Sequence, residues 1–383
     1  MNPRSCDIFC NVIDNYGDIG VSWRLARQLT SEFDVTVRLW VDDLASFAKL
    51  CPDADVALDS QSCRGVEVRR WRNAFPEVLP AALVIEAFGC KMPVNYLAAM
   101  TAKSVWINLE YLSAEDWVEG CHKLPSPKPP LTRYFFFPGF TKKTGGLLLE
   151  RDLLARRDAF LGDTSQQQAF WRAIGMEVPA AGTLKISLFS YENAALPGLF
   201  DVWVSGDQAV LCLVPEGRIL PQVAYYFGEG ALGRASYSRG NLTVRVLPFV
   251  AQENYDKLLW ACDINFVRGE DSCVRAQWAG KPFIWQIYPQ HDAVHWQKLQ
   301  AFLDLYTRHL SPDVRESVQG LWKLWNGGQS AGDAWGRFAA QQIELNPCAM
   351  AWARELSQNT LALNLLDFFQ EIGRMHAFEI DEQ

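Results

Sequence analysis

Two short stretches of this chain carry residue types that could do chemistry. After the apolar run Cys6 to Ile13 comes Asp14-Asn-Tyr-Gly-Asp18, which places two carboxylates four residues apart on a glycine-flanked loop. Carboxylates so placed can face one ligand together, and their mutual repulsion raises the proton affinity of one, which suits it to act as a base. A purely structural reading is also open, with Asp14 as a turn residue and Asp18 as the N-cap of the next helix. The second stretch, Phe266-Val-Arg-Gly-Glu-Asp-Ser272 running on to Gly280, reads as strand, sharp turn at Gly269, helix and glycine stop. Asp271 or Ser272 can cap that helix. A helix N-terminus at the carboxyl end of a strand presents backbone N–H groups to an anion, and open α/β sheets hold phosphates there. An ordinary capped helix would look the same.

Other candidates are weaker. Phe189-Ser-Tyr191 and Pro248-Phe-Val-Ala-Gln252 each follow a strand, where rings could sandwich a nucleobase and the Gln252 amide could read its edge. Aromatic core caps and a solvated glutamine are the commoner outcomes. His291 and His295 share a helix face, but the zincin glutamate and a third ligand are missing, so a solvent-facing pair is favoured over a metal site. Dinucleotide, Walker A and nucleophile-elbow glycine motifs are absent, which weakens dehydrogenase, NTPase and hydrolase readings.

The elements that position these residues follow a repeated β/α rhythm. Strands are expected at 6–13, 35–41, 66–71, 83–88 and 105–109, with a helix over 21–33. The rhythm restarts with strands at 184–189, 209–214, 242–247, 264–267 and 282–286, and helices near 219–227 and 254–261. Such alternation implies mostly parallel sheets. Between the halves, Lys123-Leu-Pro-Ser-Pro-Lys-Pro-Pro130 is too rich in proline for regular structure, and residues 150–171 read as charged helix. Beyond Tyr288 the chain is helical, with breaks at Pro312, Gly327 and Asn346-Pro347 and a last helix over about 350–375. The expected organisation is a Rossmann-like domain over 1–155, a linker over 156–183 and a second Rossmann-like domain over 184–349. The C-terminal helix, 350–383, returns to the first domain, and the two domains face a cleft.

Composition narrows the partners. With 383 residues, 49% hydrophobic and 21% charged, the chain is an ordinary globular protein of about two domains. A net charge of −8 argues against a nucleic-acid footprint. No run reaches transmembrane length. Ten scattered cysteines without a CxxC pair fit a reducing cytoplasm better than a disulfide framework.

Taken together, Val12-Ile-Asp-Asn-Tyr-Gly-Asp-Ile-Gly-Val-Ser-Trp-Arg-Leu-Ala-Arg27 and Arg268-Gly-Glu-Asp-Ser272 closely resemble the protein-arginine rhamnosyltransferases of bacterial translation elongation factor P, the EarP family. Asn108-Leu-Glu-Tyr-Leu-Ser-Ala-Glu115, Phe189-Ser-Tyr-Glu192, Ala279-Gly-Lys-Pro-Phe283 and Tyr288-Pro-Gln290 extend the resemblance, in consistent order, over nearly the whole chain. It implies a GT-B glycosyltransferase fold and an inverting, metal-independent transfer of L-rhamnose. The donor would be dTDP-β-L-rhamnose, with no cofactor. The acceptor would be one arginine in the N-terminal domain of elongation factor P, a modification that helps ribosomes stalled at polyproline. By the same resemblance Asp18 is the general base, Asp14 its companion near the acceptor, and Glu270 a further catalytic residue on the donor side. Gly17, Arg268, Asp271, Ser272 and Tyr288 would bind the nucleotide sugar, with Arg268 beside the diphosphate, while Phe189, Tyr191, Phe249 and Gln252 line the thymidine pocket. Glu110 and Tyr111 either approach the acceptor or only shape the first domain. A cytoplasmic monomer is expected, with no membrane or nucleic-acid partner. The alternatives are a GT-B transferase for another acceptor and a non-catalytic platform for elongation factor P.

Overall fold

The computed structural model describes residues 3–13, 16–101, 103–228 and 233–381. The chain divides into two compact units, Met1–Arg151 with Leu356–Gln383, and Asp152–Glu355.

In chain order the first unit begins with β1 (Ser5–Cys10), α1 (Gly17–Phe33), β2 (Thr36–Val41) and α2 (Leu44–Leu50). It continues with β3 (Ser60–Cys63), β4 (Val66–Arg70), β5 (Leu83–Ala87), α3 (Val94–Ala99) and β6 (Val105–Leu109), then α4 (Trp117–Cys121), β7 (Pro125–Lys128) and β8 (Leu131–Phe136). The strands form one sheet in the order β3-β4-β2-β1-β5-β6-β8-β7, parallel except for the two edge strands. β1, β5 and β6 are mostly apolar and buried almost throughout, as strands of a parallel sheet covered on both faces are. α1 buries Ile19, Trp23, Ala26 and Leu29 at helical spacing, and ends at Asp34 in the left-handed region. Behind the sheet Phe9, Trp40, Phe75, Tyr96 and Trp106 build an aromatic core. At its base the fully buried Asp7 accepts from Arg38 Nε and Nη2, both at 2.6 Å, from Ala81 N–H at 3.1 Å and from Tyr96 Oη at 2.5 Å. A buried carboxylate is tolerated only when its oxygens are so occupied.

The proline-rich stretch 123–130 differs from expectation, because Pro125–Lys128 forms an edge strand antiparallel to β8. An edge strand needs N–H donors on one side only, and Pro125 and Pro127, two apart, lack theirs on a common side.

The second unit opens with α5 (Leu153–Gly162) and α6 (Thr164–Ala173), so the stretch 156–183, read from sequence as a linker, is mostly helical. Asp163 separates the two helices by capping α6 through Ser165 N–H and Gln166 N–H. There follow β9 (Leu184–Leu188), α7 (Leu196–Ser205), β10 (Val210–Pro215), α8 (Leu220–Tyr226), β11 (Ser236–Arg239), β12 (Leu242–Leu247) and α9 (Gln252–Ala261). Next come β13 (Ile264–Arg268), α10 (Asp271–Ala279), β14 (Phe283–Gln286) and the helices α11 (Val294–Tyr306), α12 (Pro312–Asn326), α13 (Gly332–Ala339) and α14 (Gln342–Leu356). The sheet order is β11-β12-β10-β9-β13-β14, with only β11 antiparallel. Trp203, Phe266, Trp325 and Trp335 pack ring against ring under this sheet, so much of the aromatic excess is core. Pro347 lies inside α14 rather than breaking the chain there; it forgoes a single i→i−4 bond. The break falls later, and α15 (Leu361–Asp381) packs on α1 and β6 of the first unit. Among the described residues no helix is long and apolar enough to cross a membrane.

Candidate functional site

In each sheet the chain order reverses at one point, where the carboxyl ends of neighbouring strands feed loops running in opposite directions. In the first unit that point lies between β1 and β5, and in the second between β9 and β13. The candidate residues gather on the loops at these two points and on the strands beside them.

At the end of β1, Val12 N–H donates to Asp42 Oδ1 at 2.9 Å and the Asn11 amide bonds the same carboxylate. Ile13 N–H donates to Asp18 Oδ2 at 2.9 Å. α1 starts at Gly17, with Tyr16 at the N-cap and Gly20 N–H closing the first turn on Tyr16 O at 2.9 Å. Asp18 is therefore not the N-cap that its residue type suggested. It sits inside the first turn, 3% exposed, where a carboxylate is favoured by the helix dipole and folds back to fasten the preceding loop. Ile13 beside it holds 70% of its surface in solvent. Asp14 lies outside the described residues.

β5, next to β1, ends in an unusual turn. Phe88 and Gly89 are both left-handed, with φ of 58° and 65°. For phenylalanine that conformation costs about 1–3 kcal/mol and persists only where the surroundings impose it. Here Phe88 stacks on Tyr111 at 4.7 Å and 22°, and Gly89 N–H donates to Asn108 Oδ1 at 3.1 Å. Asn108 in turn donates to Glu110 Oε1 at 2.5 Å. Glu110 and Tyr111 thus belong to the carboxyl edge of the first sheet, one strand beyond β5.

In the second unit Arg268 is the last residue of β13 and lies 6% exposed. Its guanidinium carbon is 4.5 Å from the ring centroid of Phe189 and 4.5 Å from that of Tyr191, which follow β9. Gln286 Oε1, at the end of β14, accepts from Ser190 Oγ at 2.6 Å and from Tyr191 N–H at 2.9 Å. Tyr288 meets Tyr191 edge-on at 5.6 Å, and Tyr255 meets Phe189 likewise at 5.7 Å. Gly269 takes φ 58°, and its carbonyl accepts from Trp285 Nε1 at 2.8 Å. The N-cap of α10 is Glu270 rather than Asp271 or Ser272. Ser272 is turned back on the strand end, its Oγ accepting from Arg268 N–H at 3.0 Å and donating to Arg268 O. Glu270 and Asp271 are half-buried at the helix start. The Gln252 amide, first in α9, approaches Asp271 Oδ2 at 3.5 Å. These contacts bring together Phe189, Tyr191, Arg268, Ser272 and Tyr288, with Gln252 joined to Asp271.

Phe249 has a different setting. It lies on the loop between β12 and α9 and lines a cavity of about 610 Å³ with Phe160, Phe170, Ile174 and Val250. Asp18, Gly17, Glu110 and Tyr111 belong to the first unit and the other described candidates to the second. Of the two histidines, His295 accepts at Nδ1 from Gln290 N–H at 3.3 Å. Among the described residues no group of three or more His, Cys, Asp or Glu is arranged to hold a metal ion.

Sequence reasoning missed Gln286 and Asp42, which hold the two loops. Gln286 had a faint signal, a polar residue closing an otherwise apolar strand, while Asp42 had none beyond following a strand.

A family model described as the elongation factor P rhamnosyltransferase EarP matches residues 6–370. A protein-arginine rhamnosyltransferase of Pseudomonas putida is 51% identical over 370 residues, covering 95% of this chain and 98% of that protein. A solved structure described as the structural basis for EarP-mediated arginine glycosylation of elongation factor P is 39% identical, with a TM-score of 0.70 over 96% of this chain and 99% of that one. At 8% identity, a glycosyltransferase of Rickettsia africae aligns over 97% of this chain and 99% of that one, with a TM-score of 0.56, a likeness of fold alone. The fold is the two-domain GT-B fold of glycosyltransferases.

Proposed function

The chain belongs to the elongation factor P rhamnosyltransferase family, and we propose that it moves L-rhamnose from dTDP-β-L-rhamnose to one arginine in the N-terminal domain of elongation factor P. The observation that carries this reading is the buried Asp18, fastened at the reversal point of the first sheet in a chain that matches the family over residues 6–370.

The chemistry follows from the acceptor. A guanidinium is protonated at neutral pH, its pKa above about 12, and has no free lone pair. As an arginine nitrogen attacks the anomeric carbon, the bond from that carbon to the dTDP oxygen breaks, and the departing proton passes to the Asp18 carboxylate. Attack opposite the leaving group inverts the β-L donor to an α-L product. Asp14 serves as companion to Asp18 near the acceptor, and Glu110 with Tyr111 approaches the same guanidinium. The charge that leaves with dTDP meets Arg268 and the N-terminus of α10, where Glu270, Asp271 and Ser272 form the first turn, so no divalent ion is required. Phe249 and Gln252 take the thymidine, and Phe189 and Tyr191 line the same pocket around Arg268, with Tyr288 beside Tyr191. Gly17 leaves room for the sugar at the start of α1. The enzyme works as a cytoplasmic monomer, where its acceptor acts in translation.

Intact mass of elongation factor P after incubation with the protein and dTDP-rhamnose tests the reading. A gain of one deoxyhexose, absent with an Arg→Lys acceptor, is the expected result. Complex formation without any mass change would mean a platform, and the reading would be lost.

A further inference from the structure

We propose that Phe189 and Tyr191 act through Arg268: they are positioning residues that clamp its guanidinium for the terminal phosphate of the nucleotide, rather than rings that stack on the base. This rests on the reading above, in which Arg268 meets the diphosphate.

The guanidinium carbon lies equally close, 4.5 Å, to both ring centroids. A cation within about 6 Å of a ring face is attracted by the ring quadrupole, and a planar guanidinium can take one ring on each side. Faces so occupied are closed to a nucleobase. The arrangement is supported from behind. Gln286 pins Ser190 and the Tyr191 N–H, Tyr288 and Tyr255 abut the two rings edge-on, and Ser272 ties the Arg268 backbone in both directions. A second cation, Arg218, lies 6.0 Å from the Tyr191 ring centroid. An arginine side chain otherwise keeps many rotamers, and holding it in one geometry before the ligand arrives removes the ordering penalty from binding. The aromatic pair thus confers selectivity for a nucleoside diphosphate over a monophosphate.

The test uses the full chain and calorimetric titration with dTDP and with dTMP. Phe189→Leu and Tyr191→Leu are expected to weaken dTDP by about 3- to 30-fold, while dTMP changes by less than about twofold. Phe189→Tyr and Tyr191→Phe keep the ring and should restore dTDP binding. Combining Phe189→Leu with Arg268→Lys should add little to the loss from Arg268→Lys alone, since the two act on one interaction. Equal losses for dTMP and dTDP would show that the rings hold the base and overturn the proposal, as would unchanged dTDP affinity in both leucine variants. If Arg268→Ala itself leaves dTDP affinity at the wild-type level, the placement of Arg268 at the diphosphate fails first and the clamp falls with it.

Discussion

Asp256 and Arg275 close a bidentate ion pair, Nε to Oδ1 and Nη2 to Oδ2 at 2.7 Å each, with side chains only 5% and 1% exposed. Asp256 is the fifth residue of α9 and Arg275 the fifth of α10, so the pair locks the two helices together just past the first turns that begin at Gln252 and Asp271. The geometry of the proposed nucleotide site therefore depends on a contact one turn behind it. Removing one partner leaves the other as an uncompensated buried charge. Asp256→Ala should destabilise the second unit by about 3–5 kcal/mol, measured by urea unfolding followed through tryptophan fluorescence. Replacing both partners with apolar residues of similar volume should recover most of that loss. A single variant within about 1 kcal/mol of wild type would mean the helices are registered by something else.

Asp18→Asn separates structure from catalysis. An asparagine carbonyl oxygen can accept the Ile13 N–H bond that Asp18 Oδ2 accepts at 2.9 Å, so the loop stays fastened while the proton acceptor is gone. Turnover should fall by about 100-fold or more, read as the rate of deoxyhexose gain on elongation factor P, with dTDP affinity unchanged. Near-normal turnover would remove Asp18 from the role of base.

How much of this was visible beforehand depended on whether a residue's environment is local. Val105–Leu109, buried on both faces, was readable to the residue because a mostly apolar run of that length has few other fates, and Leu242–Leu247 because its aliphatic residues alternate with Thr243 and Arg245. The edge strands Ser60–Cys63, Pro125–Lys128 and Ser236–Arg239 were not, since their polar sequences are ordered only by pairing with a neighbour. The candidate residues lie at strand ends and helix starts, but the capping role open to Asp18, Asp271 and Ser272 falls instead to Tyr16 and Glu270. Ser272 is a favoured capping residue that instead bonds the carbonyl four residues earlier. The two rings around Arg268 come from a strand some 80 residues away in sequence, a juxtaposition created only by the pairing of β9 with β13.

That hydroxyl gives a further prediction. Ser272→Ala removes the acceptor of the Arg268 N–H, at a position 4% exposed, and loosens the strand end that carries the guanidinium. Loss of one buried hydrogen bond of this kind is worth about 1–2 kcal/mol, so dTDP affinity should drop about 5- to 30-fold while elongation factor P binds as before. An unchanged dTDP titration would contradict this role for the hydroxyl.

His122 gives the first unit a pH dependence whose sign is fixed by its surroundings. Its Nδ1 accepts from Phe137 N–H at 3.1 Å, and the ring packs edge-on against Phe136 at 4.6 Å. Burial, with neighbouring Lys123 adding to it, lowers its pKa from the ordinary 6.5 to about 4. Between those values the unfolded chain takes up a proton that the folded chain refuses, so this contribution to stability is whole above pH 6.5 and drains away as pH falls toward 4. Protonation also destroys the acceptor that Phe137 N–H needs. Because the ring is partly exposed, about 1–2 kcal/mol is expected. His122→Asn places an amide oxygen where Nδ1 stood and cannot titrate. Urea unfolding at pH 7.5 and pH 5 should therefore show a smaller acid-side loss for the variant than for the native chain; equal losses would assign the acid sensitivity to other groups.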